Sequence, residues 1–187
     1  MTDHARIRVP HSLFLRALPF VSQWDNIIDI GAGYLNETIY LLEKGYNVTA
    51  LDRNPLPGVL VPKVTSNLTY LKQDFHTYPY PPYHYNLIIS LFSLSFTEPA
   101  VFGKFFTRVI DATARHGVFV GNIFSKNDDW NNHSLPGITF LTKKEVEKFF
   151  SPEFEMIECR DREWDGPQYD GVIKHWHTVD FIAKRSA

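Results

Sequence analysis

The chain has 187 residues, 44% hydrophobic and 21% charged, with a formal net charge of −2; this is enough chain for one buried core, and the balance excludes a general attraction to nucleic acid or an anionic membrane. Its one cysteine, Cys159, excludes an intrachain disulfide and fits a reducing compartment. No stretch approaches the roughly 18 apolar residues of a spanning helix, and no signal peptide is visible, so a cytoplasmic, single-domain protein over residues 1–187 is expected.

In chain order, Pro10 precedes a short helix over 11–18, with Leu13, Phe14 and Leu18 on its apolar side. Residues 27–30 read as a buried strand, followed by the turn Gly31-Ala32-Gly33. An amphipathic helix is expected over 35–44, with Leu35, Ile39 and Leu42 on one face and Gly45 as its left-handed cap. Residues 47–51 form a second strand ending at Asp52. The prolines between Pro55 and Pro62 exclude a regular helix and predict a loop or one short turn. Leu68 to Leu71 is a third strand, and the run from Tyr78 to Tyr83 a stiff loop in which the tyrosines pin a proline-rich turn. Residues 85–91 read as a mainly apolar strand, as in a strand covered on both faces. Pro99 to Thr113 reads as a helix, with Val101, Phe105, Val109 and Ala112 at helical spacing. A fifth strand covers 117–123, and Thr142 with Glu145 forms a capping box that opens a helix to Phe150. Residues 154–160 and 173–183 are two strands joined through Gly166-Pro167.

This alternation predicts an α/β, Rossmann-like doubly wound sheet, mostly parallel, with an antiparallel strand near one edge. Ligands of such sheets lie beyond the carboxyl ends of the strands. Asp29 to Gly33, Asp52, Gln73-Asp74 and Ser90 to Ser93 all fall there. A glycine turn lets backbone approach a ligand, because no Cβ intervenes. An acidic residue at the tip of the next strand, Asp52, can hold two ribose hydroxyls. Asp74 can accept from an adenine amino group while the Phe75 amide donates to a ring nitrogen. Phe92 can stack on the base or wall off the reacting group, and Ala32, Arg53, Gln73 and Ser90 complete the expected nucleoside site. Each residue alone also has an ordinary reading as turn, strand end or core. A nicotinamide-dependent reductase is disfavoured, since Asn36 stands where its glycine fingerprint needs a third glycine.

His175 and His177 project together from one strand face. A metal would need a third ligand from Asp165, Asp128 or Cys159, and such pairs usually lack the rest of the shell, so no metal is expected. Either histidine, or Asp129, is a candidate general base, and Asp128, Trp130, Lys174 and Trp176 are candidate substrate contacts.

Taken together, the run from Asp29 to Gly33, the run from Gly45 to Asp52, Gln73-Asp74 and the run from Tyr85 to Ser90 resemble the class I S-adenosylmethionine-dependent methyltransferases, in particular their small bacterial tellurite-resistance-like branch. The resemblance covers nearly the whole chain and extends to Phe124–Trp130, Asp165-Gly166-Pro167 and Lys174–His177. It implies a seven-stranded sheet with the last strand antiparallel, S-adenosylmethionine as cofactor, and in-line methyl transfer to a small-molecule acceptor. Asp29 would organise the turn or meet the cofactor's methionine ammonium. The alternative is a non-catalytic module that binds S-adenosylmethionine or S-adenosylhomocysteine. Three positions depart from the pattern: Leu35 replaces a third glycine, the proline-rich loop replaces the helix after strand two, and Ala114 to Gly117 stands where Pro-Gly-Gly is usual.

Overall fold

A computed structural model describes residues 9–56, 58, 66–133, 135–168 and 170–187. Its elements are α1 (Ser12–Ala17, continued by a 3-10 turn, Leu18–Phe20), β1 (Ile27–Ile30), α2 (Asn36–Glu43), β2 (Val48–Asp52), β3 (Leu68–Lys72), β4 (Tyr85–Ser90), α3 (Pro99–Asp111), β5 (Thr113–Phe124), α4 (Asp129–Asn132), α5 (Lys143–Phe150), β6 (Phe154–Pro167) and β7 (Ile173–Arg185). Most of the loop expected between Pro55 and Pro62 lies outside the described residues. No helix among the described residues is long and apolar enough to cross a membrane.

One seven-stranded sheet runs in the order β3-β2-β1-β4-β5-β7-β6. The pairs from β3 through β5 are parallel, while β7 is antiparallel to both β5 and β6. β7 therefore lies one strand in from the edge. The chain starts in the middle at β1 and winds out both ways, so the strand order reverses between β1 and β4. That reversal opens a crevice at their carboxyl ends. Ile28, Ile88, Phe119 and Phe181 pack with Phe106 and Phe150 on the face of α3 and α5. Ile27, Leu87, Ile89 and Val120 pack with Leu13, Phe14 and Leu41 on the face of α1 and α2. Burial on both faces is why these strands are apolar without alternation.

Several boundaries differ from the sequence reading. α3 stops at Asp111, and its buried residues are Phe102, Phe105, Phe106, Val109 and Ile110, while Val101 is 47% exposed. β5 starts at Thr113, four residues early, because a bulge with left-handed His116 (φ 59°) carries the pairing from Tyr85↔Thr113 to Leu87↔Val118. Gly166-Pro167 is not the hairpin turn; both residues lie inside β6. The reversal is closed by Gln168 N–H donating to Val172 O (2.8 Å), with Gly171 left-handed (φ 87°).

Leu35 is not helical but caps α2 in the left-handed conformation (φ 58°). That backbone costs a non-glycine residue about 1–2 kcal/mol. Its side chain is fully buried against Ile39 and Ala50, which returns about 1.5–3 kcal/mol.

Candidate functional site

The crevice is built around Gly31. Its N–H and that of Ala32 donate to Leu51 O (2.7 and 3.1 Å), folding the turn across β2. The hydroxyls of Ser90 and Ser93 both donate to Ile30 O (3.1 and 2.7 Å), tying the tip of β4 to the end of β1. Gly31 has φ +71°, and a Cβ placed there would stand 2.3 Å from Ser93 Cβ. At Gly33 (φ +49°) an added Cβ would meet only Gly31 O, at 3.9 Å, and would stand in open space. Asp52 closes the turn from the other side: Oδ2 accepts from Gly33 N–H (2.9 Å) and Oδ1 from Asn54 N–H (2.8 Å).

Two cavities flank Gly31. One, about 310 Å³, is lined by Asp29, Gly31, Ala32, Gly33, Glu37, His11 and Phe92. The other, about 180 Å³, is lined by Gly31, Asp52, Arg53, Asp74, Phe75 and Phe92. Asp29, Gly31, Ala32, Gly33, Asp52, Arg53, Asp74, Phe75 and Phe92 thus lie around one crevice, as the sequence suggests. Two expected members lie outside both linings. Ser90 is fully buried behind the turn, its hydroxyl on Ile30 O and Ser93. Gln73 turns to Thr77, its Nε2 donating to Oγ1 (3.1 Å).

The first cavity is acidic. Asp29 is buried and accepts from Thr38 Oγ1 (2.7 Å). Burial, reinforced by the charges of Glu37 and Asp52, pushes its carboxyl up to about 8. Glu37, also raised by burial, accepts from His11 N–H (2.8 Å). A carboxyl whose folded pKa exceeds its unfolded value stabilises the fold below the unfolded pKa, and loses that contribution as pH rises through the folded value. The unliganded protein is therefore expected to lose resistance to urea between about pH 4 and about pH 8, and Asp29→Asn to flatten that part of the profile; an equal slope in the variant would contradict the assignment.

In the second cavity Asp74 is opposed by partial desolvation, but hydrogen bonds from the His76 N–H and imidazole (2.8 and 2.7 Å) and the charge of Arg53 hold its carboxyl below the ordinary range. Phe75 packs its ring between His76 and Phe105 (centroids 4.3 and 5.3 Å).

Phe92 stands where the cavities meet. Its backbone is left-handed (φ 53°), and its N–H donates to Asn122 Oδ1 (2.7 Å). Asn122, Glu37 and His11 belong to this site and were not singled out from sequence. Asn122 alone carried a signal, a buried amide in an otherwise apolar strand. Behind Phe92 lies an aromatic wall of Phe124, Trp130, Trp164 and Trp176.

The remaining candidates lie beyond the two cavity linings. Lys174 is buried, its ammonium 4.1 Å from the ring centroids of both Trp130 and Trp176 and bonded to the buried Asp128 carboxylate. Burial lowers the Lys174 pKa, although its bond to Asp128 opposes the shift. Asp128 also accepts from Trp130 N–H (3.0 Å) and His177 N–H (3.1 Å). The pair thus satisfies itself, joining the short helix α4 to β7. His175 is clamped between Asp165 (2.8 Å) and Glu163 (3.1 Å), whose hydrogen bonds raise its pKa, while its N–H reaches Asp129 Oδ2 (2.7 Å). His177 accepts from Asn127 N–H at Nδ1 (3.0 Å) and contacts Asp161 at Nε2 (3.1 Å). Among the described residues, no three His, Cys, Asp or Glu side chains are placed to hold a metal. Burial pushes the Cys159 thiol up to about 12, so it is no nucleophile at neutral pH.

No protein-family profile matches the chain, and no curated protein matches it in sequence. Solved structures do match in shape. TehB from Haemophilus influenzae superposes with a TM-score of 0.75 at 17% identity over 94% of this chain, which spans 62% of that protein. The 1,6-didemethyltoxoflavin N1-methyltransferase of Burkholderia thailandensis, solved with 1,6-didemethyltoxoflavin and S-adenosylhomocysteine, gives 0.70 at 16% identity, covering 100% of this chain and 80% of that one. An S-adenosylmethionine-dependent methyltransferase from Methanosarcina mazei gives 0.65 at 16% identity over 96% of this chain and 99% of its own. The fold is therefore that of the S-adenosylmethionine-dependent methyltransferases.

Proposed function

We propose that this chain binds S-adenosylmethionine across Gly31 and transfers its methyl group to a small-molecule acceptor. One observation carries the reading: the glycine turn separates two cavities, one lined by the buried carboxyls of Asp29 and Glu37 and one by Asp52, Asp74 and Phe75. The donor set fits the cofactor. Asp29 and Glu37 suit an ammonium, Asp52 a ribose diol, and Asp74 with Phe75 an adenine. The open space at Gly33 lets the ligand approach backbone. The shared fold, and the bound S-adenosylhomocysteine in one structural neighbour, support the same reading.

When bound, the cofactor would supply a methyl carbon already activated on a sulfonium, whose C–S electron pair would remain on sulfur. The chain's own work is placement. Asp29 and Glu37 fix the charged end, Asp52 fixes the ribose while holding the turn through Gly33, and Phe92 walls the junction of the cavities against water. Orientation of this kind supplies up to about 7–11 kcal/mol of barrier reduction in favourable cases. An ammonium beside Asp29 favours the ionised carboxylate, so binding at neutral pH releases a proton.

Calorimetry with S-adenosylhomocysteine tests the reading, with NADH as the control that does not bind. Asp52→Ala is expected to weaken S-adenosylhomocysteine by about tenfold or more, the loss of charge-assisted hydrogen bonds; unchanged affinity would remove the ribose role. Turnover of labelled S-adenosylmethionine against thiols, phenols, amines and metalloid oxyanions separates an enzyme from a binding module.

A further inference from the structure

Phe92 lines both cavities, and it does so from a left-handed backbone (φ 53°), a conformation that large side chains rarely adopt. Such strain persists only where surrounding contacts over-determine it, and it gathers at ligand sites. Here the contacts come from β5. The pairing of β4 with β5 ends at Ser90↔Gly121. Past that point two side-chain bonds dock the following segment on β5. Asn122 Oδ1 accepts from Phe92 N–H (2.7 Å), and Ser95 Oγ accepts from Phe124 N–H (2.8 Å). The left-handed residue is thus gripped at its own amide, by the first β5 side chain beyond the ladder.

Asn122 is a costly residue for its place. It is 1% exposed, and a buried amide destabilises a fold unless hydrogen bonds compensate it. Among the described residues its Nδ2 has no hydrogen-bond partner. Directly across the sheet, in β7, stands Asp180, which is fully buried. Asp180 Oδ1 accepts from Thr178 Oγ1 (2.9 Å), while its Oδ2 likewise has no hydrogen-bond partner among the described residues. Burial raises the Asp180 pKa, opposed by the Thr178 bond and by the charges of Arg162, Arg160 and Arg16. Opposed residues of an antiparallel pair present their side chains on one face, with Cβ atoms about 4.5–5.5 Å apart. A donor on Asn122 therefore faces an acceptor on Asp180 across a gap that one bridging water spans. That arrangement sets the direction of the amide: nitrogen toward the carboxylate, oxygen toward Phe92.

We infer that Asn122 is a positioning residue for the cofactor: its side-chain oxygen holds the Phe92 amide in the left-handed turn that sets the Phe92 ring between the two cavities, and Asp180 orients the Asn122 amide from β7. The inference rests on the S-adenosylmethionine reading above and assigns what shapes that site. Neither residue lines a cavity; both act through Phe92. An apolar residue at 122 would suit the strand, but it would leave the Phe92 N–H without its acceptor. The turn would then relax toward an ordinary backbone and carry the ring away from Gly31. The same logic explains a buried carboxylate on β7. Without an acceptor opposite, the Asn122 amide has nothing to select one of its two orientations.

The test is calorimetry of S-adenosylhomocysteine on the full chain, with urea unfolding run beside it. Asn122→Leu is close in volume and removes the acceptor; affinity is expected to fall about tenfold, the size of one hydrogen bond. In a Phe92→Gly background the left-handed backbone carries no penalty, so there Asn122→Leu should change affinity by less than about twofold. The exchange Asn122→Asp/Asp180→Asn keeps an acceptor for the Phe92 N–H and leaves one amide facing one carboxylate, so it should bind within about threefold of wild type. A merely structural role would lower stability in both backgrounds and leave affinity unchanged. Wild-type affinity in Asn122→Leu, an equal loss with and without the Phe92 ring, or an exchange variant that binds about tenfold more weakly than wild type would each overturn the inference. Should Asn122→Leu not fold, the exchange variant decides alone. Failure of the wild-type protein to bind S-adenosylhomocysteine is measured first and would instead remove the cofactor reading beneath it.

Discussion

Gly31→Ala is expected to lower the stability of the fold by about 3 kcal/mol and to abolish measurable S-adenosylhomocysteine binding. Two costs combine. A left-handed backbone (φ +71°) penalises any L side chain by about 1–2 kcal/mol. The new methyl would also sit 2.3 Å from Ser93 Cβ and 2.8 Å from its Oγ, and overpacking of this kind costs about 1–3 kcal/mol. Relief must come from moving Ser93, which breaks its 2.7 Å bond to Ile30 O and parts β4 from β1 at the crevice. Urea unfolding and calorimetry read the two effects separately. The double variant Gly31→Ala/Ser93→Gly should recover the clash but not the backbone strain. Gly33→Ala provides the contrast. It has room in the fold, so its stability loss should stay near 1 kcal/mol, while its methyl projects toward the ligand and costs affinity. A Gly31→Ala protein of wild-type stability would mean that the turn is not built as described.

The second large effect is expected at Asp128. Asp128→Ala leaves the Lys174 ammonium buried without its partner and strands two backbone N–H groups, those of Trp130 and His177. Breaking one side of a buried ion pair typically costs about 3–5 kcal/mol. Lys174→Met should cost less, since the Asp128 carboxylate keeps the N–H groups of Trp130 and His177 as donors, while Trp130, Trp176 and Phe124 accept an apolar chain. Asp128→Asn keeps one oxygen acceptor, enough for one of the two backbone N–H groups, so Asp128→Asn/Lys174→Met should recover part of the loss. Chemical unfolding of the wild type, Asp128→Asn, Lys174→Met and their double variant measures this cycle. Additivity between Asp128 and Lys174 would show that they do not act as a pair.

The elements that could be read from sequence were those with a local physical cause. β1 and β4 announce themselves by short, mainly apolar runs, and α5 by the reciprocal bonds of Thr142 and Glu145, which form as expected. The crevice was readable because strand tips and glycines mark it in one dimension. What failed depended on distant partners. The hairpin turn was placed at Gly166-Pro167, yet β7 supplies partners for that stretch and the reversal falls at Gly171. α4 is a single turn capped by Asp128, too short for any periodicity to show. Lys174 and Asp128 are candidate substrate contacts by residue type, and 46 residues of separation hide from the sequence that they also pair with each other. His11, Glu37 and Asn122 went unnoticed for the same reason: each matters through a contact made across the fold.

His11 touches Glu37 through its backbone, 26 residues ahead, and Arg162 through its ring, 151 residues ahead. During synthesis the chain therefore exposes its glycine turn and acidic residues long before the β6–β7 hairpin that completes their surroundings has left the ribosome. Contacts of such separation form late, after the entropy of closing the loop has been met. A nascent chain halted before β6 would carry the glycine turn and its acidic residues but none of the β6 and β7 side chains that pack against Phe92.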